Sequence, residues 1–170
     1  KFTKGQEDFK ERKEAQSRGG LVGIPTGFGR EMDEFTGGWQ KGNLYALVGI
    51  TGIGKSFLSM LTAFSAMRSG YSPLLIALEG NVIREYFRLL SVANETNNLN
   101  LHRGRLNDDE YFWSEKRLRD VANETKTKFY LGTFGDREFY TPKTVRYHAQ
   151  RLKPGLIIVD YLTLMSANER

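Results

Sequence analysis

A chain of 170 residues has the length of about one domain and is long enough to bury a core. Its 39% hydrophobic and 26% charged residues match an ordinary soluble globular protein, and the absence of cysteine excludes a disulfide framework and any thiolate metal site. Two histidines argue against a histidine metal centre, no apolar run approaches membrane-spanning length, and the basic, polar N-terminus is no signal peptide.

A cysteine-free chain suits a reducing compartment. The net charge of +5 permits contact with a polyanion without showing it, because the basic residues are spread along the chain and interleaved with acids, as on a solvated surface.

In chain order, residues 1–18 are highly charged, and 9–16 contain good helix formers but no core-facing stripe. They read as a leader or as a linker helix that docks elsewhere, separated from the body by Gly19-Gly20. A turn-rich stretch from Gly23 to Phe28 precedes a short helix over 29–36, which ends at Gly37-Gly38. Leu44–Val48 is an apolar run predicted to be the first strand, and a helix over 55–69 carries Phe57, Leu61, Phe64 and Met67 toward the core.

Leu74–Leu78 predicts a second buried strand. It is followed by a helix over 82–94 with Val82/Ile83, Tyr86/Phe87, Leu89/Leu90 and Ala93 on one face. Residues 97–105 read as a polar loop, and Asn107–Glu110 as the capped start of a helix to about 124. Phe129–Leu131 predicts a short strand, followed by a loop to Tyr140. Thr141-Pro142 opens a helix to Leu152, and Leu156–Asp160 predicts a last strand. Apolar strands alternating with helices predict an α/β fold whose sheet is mostly parallel, with helices on both faces.

Between the first predicted strand and its helix lies Gly49-Ile50-Thr51-Gly52-Ile53-Gly54-Lys55-Ser56, which fits G-x-x-x-x-G-K-[ST] at every fixed position. Glycines allow consecutive backbone N–H groups to turn toward phosphate oxygens, and the start of the following helix adds unpaired N–H groups and a positive dipole end. Lys55 is predicted to reach the β/γ-phosphates and the Ser56 hydroxyl to ligate Mg²⁺. A glycine turn followed by a solvated lysine is the competing reading; motif and context together favour a nucleoside triphosphate site.

Ligands of such sheets bind beyond the carboxyl ends of the strands. Asp160 follows four apolar residues, the pattern of a Walker B acid that holds Mg²⁺ directly or through water; the alternative is a strand-end aspartate satisfied by backbone. Glu79, after the Leu74–Leu78 run, is the best-placed general base for an attacking water, the alternative being a solvated charge or a salt bridge with a nearby arginine such as Arg84 or Arg88. Asp33 and Glu34 rank lower because they fall on an exposed short helix. His102 is expected on the surface, and His148, sharing a face with Val145 and Leu152, as a satisfied core histidine.

The stretch Gly23–Phe28, Met32-Asp33-Glu34 and Thr36–Gly42, followed in order by the glycine loop, Leu78-Glu79 and Leu156–Met165, resembles the ATPase domain of DnaB-type replicative helicases. The resemblance covers about residues 20–166, and its Val159-Asp160-Tyr161-Leu162 segment is more specific than the glycine loop. It implies a RecA-like P-loop NTPase core, ATP (or another NTP) with Mg²⁺, translocation on single-stranded DNA, and a ring, usually a hexamer. By position it assigns Lys55 and Ser56 to phosphate and Mg²⁺, Glu79 to the catalytic base and Asp160 to Walker B.

The resemblance further implies a linker role for residues 1–18, packing on a neighbouring subunit in a homo-oligomer, with residues 19–170 as the N-terminal part of the ATPase domain. A primase or a helicase loader would be further partners. The site of action would be cytoplasmic, at the nucleoid or replication fork, or in a host's cytoplasm for a phage-encoded member.

Gly80 stands where the family usually has Met and Thr163 where it has Gln, which suggests a divergent member. The family's DNA loops, phosphate-sensing residues and arginine finger fall beyond Arg170. The sheet is therefore expected to be incomplete at the C-terminus, and the isolated chain to hydrolyse nucleotide feebly. A RecA-like recombination or signalling ATPase that unwinds nothing, and a nucleotide-controlled assembly module, stand as alternatives.

Overall fold

A computed structural model describes residues 2–17, 20–133 and 141–165, so the expected loop up to Tyr140 lies outside the described residues. In helix α1 (Phe2–Ser17) residues 3–11, 13 and 14 are exposed and Arg12 is half-buried, with an Asp8–Arg12 ion pair one turn apart at 2.7 Å. It touches the body where Arg12 Nη1 donates to Gln40 Oε1 at 2.8 Å. Helix α2 (Arg30–Thr36) follows, closed by Gly37 in the left-handed region at φ 71°.

The segments before and after α2 meet in an antiparallel bridge, with Ile24 N–H to Trp39 O at 3.0 Å and Trp39 N–H to Ile24 O at 2.7 Å. A Cβ on Gly38 would lie 2.5 Å from the Ile24 carbonyl oxygen, which explains the Gly-Gly-Trp spelling of this turn.

The remaining elements are α3 (Lys55–Arg68), β1 (Pro73–Ala77), α4 (Val82–Asn94), α5 (Asn98–His102), α6 (Asp108–Thr125), β2 (Tyr130–Thr133), α7 (Pro142–Leu152) and β3 (Leu156–Asp160). Capping sets several of the starts. Asn107 and Glu110 exchange two bonds of 2.9 Å at the head of α6, and Pro142 sits in the first turn of α7 behind Thr141.

The three strands are parallel in the order β2-β1-β3, and β1, flanked on both sides, is buried at every residue. Alternation along β1 divides the core. Leu75 faces Met60, Phe64 and Met67 of α3 and Leu89 and Val92 of α4, with Leu118 and Val121 of α6 behind them. Leu74, Ile76 and Leu78 face the other way, against Val145 and Leu152 of α7. Helices thus cover both faces of a parallel sheet, as the alternating pattern predicts. Each fully buried side chain of this core contributes roughly 1.5–3 kcal/mol.

Four expectations are corrected. Leu44–Val48 is not a strand: its backbone joins no ladder among the described residues, and Leu44 and Val48 are 98% and 94% exposed. A strand needs a partner for its N–H and C=O groups. Here the segment is instead held at Tyr45, whose ring packs edge-on against Trp39 and whose hydroxyl accepts from Gln40 N–H and Asn43 Nδ2.

Residues 98–102 are helical rather than a loop. Asn97 Oδ1 caps the Leu99 N–H and Leu101 supplies a single buried anchor, too little for a visible period. Phe57 is 44% exposed and belongs to the loop end of α3, not to the core. On α4 the buried face is Glu85, Leu89, Leu90, Val92 and Ala93, whereas Val82 and Ile83 point outward.

Candidate functional site

The glycine loop leads into α3 without a strand before it. Gly52 and Gly54 adopt φ 83° and 102°, the region that L side chains avoid, with open space around the position of a Cβ. Their glycine identity is therefore a matter of backbone path. Gly54 offers no side chain to cap α3, and the first bond of this turn is Leu58 N–H to Gly54 O at 3.0 Å. The first-turn N–H groups, together with the helix dipole, present a positive end. Lys55 folds back over the loop, with Nζ donating to the carbonyl oxygens of Gly49 and Ile50, each at 2.8 Å. Ser56 is half-buried beside it.

α3 packs along β1 and β3 and joins β1 through the short turn at 69–72, so it runs antiparallel to the strands. Its start, with the glycine loop, therefore lies toward the carboxyl end of the sheet. Glu79 and Asp160 occupy that edge. Ala77 pairs with Asp160 in register, and Leu78 N–H donates to the Asp160 carbonyl at 2.8 Å, so Glu79 emerges next to the end of β3. Glu79 is exposed, and no ion pair ties it to a described residue. Asp160 is half-buried, and a cis peptide joins it to Tyr161.

Arg88, offered by the sequence as a partner for Glu79, is committed elsewhere. Its Nη1 donates to both carboxylate oxygens of Glu85, at 2.6 and 2.5 Å. Glu85 is only 2% exposed. Burial pushes its carboxyl up from the ordinary range; Arg88 opposes that shift, and the negative charge of Asp160 adds to it. Sequence reading missed Glu85. The available signal was its helical spacing with Leu89 and Val92 on what proves to be the buried face.

The remaining acidic and histidine candidates have structural partners. Asp33 accepts two bonds from Thr26, and Glu34 pairs with Arg30 at 2.6 Å on the surface. His102 is exposed, edge-on to Phe87, and His148 is buried, both as expected. Beside α4 and α5 a cleft of about 530 Å³ is lined by Asn81, Ile83, Arg84, Arg88, Asn98 and His102. Among the described residues no three acidic or histidine side chains converge on a metal position, and no helix is long and apolar enough to cross a membrane.

The arrangement places an anion-attracting loop, a lysine, a hydroxyl and two carboxylates toward one edge of a parallel sheet. Known proteins resemble the chain over most of its length. The DnaB-like helicase C terminal domain family matches residues 23–170. The replicative DNA helicase DnaB of Helicobacter pylori is 30% identical over 164 residues, covering 92% of this chain and 32% of that protein. The replicative DNA helicase DnaC of Bacillus subtilis is 26% identical over 158 residues, 90% of this chain and 33% of its own length. DnaB of Geobacillus stearothermophilus is 26% identical over 157 residues, with 89% and 33% covered. The chain thus spans about a third of the length of these relatives. It belongs to the DnaB-like helicase C-terminal domain family, with the RecA-like fold of that family.

Proposed function

We propose that residues 19–170 are part of the ATP-hydrolysing motor of a ring-shaped replicative DNA helicase that moves on single-stranded DNA. The observation that carries the reading is the shared edge: the uncapped start of α3 with Lys55 lies toward the strand ends that carry Glu79 and Asp160.

In this reading the triphosphate lies along the loop from Gly49 to Gly54. The loop's N–H groups and Lys55 Nζ hold its β- and γ-oxygens, the lysine exchanging two backbone carbonyls for phosphate. Ser56 and Asp160 fit the demands of Mg²⁺, which takes one or two protein oxygens and keeps water and phosphate for the rest; bound there, it would neutralise charge on the phosphates. Glu79, exposed and unpaired among the described residues, is free to accept a proton from the attacking water and to orient it. Fixed donors at the phosphate then stabilise the charge that develops in the transition state.

The relatives' names supply the replicative setting. A homo-oligomer, hexameric by analogy with the family, would use α1 as its linker: its exposed residues, Phe9 among them, lie free to meet a neighbouring subunit. Primase and a helicase loader are the protein partners this reading expects, and the cytoplasm its compartment.

The test is steady-state ATP hydrolysis by the full-length protein with and without single-stranded DNA, beside Lys55→Ala. Stimulation by DNA that the substitution abolishes is the expected result. Hydrolysis indifferent to DNA would overturn the helicase assignment while leaving the nucleotide site standing.

A further inference from the structure

We infer that Glu85, clamped by Arg88, is a positioning residue of the hydrolytic site: it fills the space beneath Gly80 and fixes the turn that carries Glu79 beside Asp160. The inference rests on the motor reading above.

The turn at 78–81 is held at both ends. Leu78 N–H is bonded to the Asp160 carbonyl at 2.8 Å, and Asn81 caps α4 through the Arg84 N–H at 2.8 Å. Between these anchors stand only Glu79 and Gly80. Gly80 is buried, and a Cβ placed on it would lie 3.0 Å from Glu85 Cδ and 3.2 Å from Cγ, with Oε1 nearer still. The Glu85 side chain therefore occupies the volume that any residue other than glycine would need at position 80.

That carboxylate cannot easily give way. Both oxygens are bound by the Arg88 guanidinium, whose side chain is 11% exposed, and breaking such a pair strands a buried charge. An apolar side chain at 85 would fill similar volume without the cost of burying a charge, so stability alone does not call for the pair. Its effect is geometric: a rigid, charged floor beneath the peptide that follows Glu79. Displacements near 1 Å at a catalytic group cost about a hundredfold in rate. The departure at Gly80 and the buried Glu85 are thus two halves of one arrangement.

The experiment compares the full-length protein with Glu85→Gln and Gly80→Ala, each alone and combined with Glu79→Gln, in the presence of single-stranded DNA. Glu85→Gln keeps the size of the side chain and removes the charge that Arg88 grips. Melting and circular dichroism establish which variants are folded. Turnover, KM for ATP and the dissociation constant of a fluorescent non-hydrolysable ATP analogue are then measured.

Positioning predicts that Glu85→Gln lowers kcat by about tenfold or more while KM and analogue affinity stay within about twofold. In the Glu79→Gln background, whose residual turnover is read in single-turnover mode, Glu85→Gln should cost nothing further, because it acts through the group already removed. Folded Glu85→Gln with unchanged kcat overturns the inference. So does a loss that multiplies with that of Glu79→Gln, or an equal loss of nucleotide affinity. Lys55→Ala runs alongside. If it too leaves hydrolysis intact, the motor reading falls; if it abolishes hydrolysis while Glu85→Gln does nothing, only the positioning role falls.

Discussion

Asp33 Oδ1 receives two hydrogen bonds from Thr26, one from its backbone N–H at 2.7 Å and one from its hydroxyl at 2.6 Å. Thr26 is 1% exposed, and its carbonyl in turn accepts from Thr62 Oγ1 on α3 at 2.9 Å. The lead-in segment is therefore fastened to the helix that starts at the glycine loop. Asp33→Ala leaves a buried N–H and a buried hydroxyl without their acceptor and should destabilise by about 1–3 kcal/mol in urea unfolding. Nucleotide affinity of the folded variant should remain within about twofold, since Asp33 is occupied away from the site.

Lys55→Met separates the two demands on that side chain. Its bonds to the Gly49 and Ile50 carbonyls are exposed, so losing them should shift stability by no more than about 0.5–1 kcal/mol. Losing the cation at the phosphates should weaken binding of a fluorescent ATP analogue by about tenfold or more. A large fall in the melting midpoint with unchanged affinity would assign Lys55 to structure alone.

The acid limb of stability should carry the imprint of one hydroxyl. Tyr86 donates to Glu115 Oε1 at 2.6 Å, and this bond holds the Glu115 carboxyl below its ordinary range. A depressed carboxyl stabilises the fold above its unfolded value and loses that contribution as pH falls through the folded value. Tyr86 itself is pushed upward, by burial first and then by the same bond. Tyr86→Phe should cost about 1–2 kcal/mol at neutral pH, and its urea midpoint should fall less steeply than the wild type's between about pH 5 and pH 3.

Three helices end on residues that dislike their backbone. Glu95, Lys126 and Lys153 hold φ of 56°, 54° and 48° at the ends of α4, α6 and α7. An L side chain in this region costs roughly 1–2 kcal/mol, partly offset in glycine by its freer unfolded chain. Lys126→Gly and Lys153→Gly should each raise stability by about 0.5–1 kcal/mol, read as a higher melting midpoint with unchanged hydrolysis.

Legibility followed locality. Signals confined to a few consecutive residues were readable: the glycine loop, the Asn107 and Thr141 caps, and the apolar runs that became β1 and β3 with Glu79 and Asp160 at their ends. What depends on a distant partner was not. Leu44–Val48 has the composition of a strand, yet strands are made by pairing and none of the described strands pairs with it. Glu85 reads as a surface charge because its burial comes from the packing of α4 against distant elements, although Arg88 and Gly80 stand near it in sequence. On α4 two apolar stripes compete, and the sheet selects the one containing the carboxylate.

The sheet's order leaves β3 with one flank unpaired among the described residues, and Ile157 on it is 40% exposed, as are Leu44 and Val48 in larger measure. A bare strand margin cannot distinguish an extension from its own chain from one offered by another molecule. The isolated chain should therefore cloud on concentration, with light scattering rising faster than linearly, and Ile157→Lys should restore clarity without altering helix content. In practical terms, solubility rather than thermal tolerance should then set the ceiling on how this chain can be handled alone.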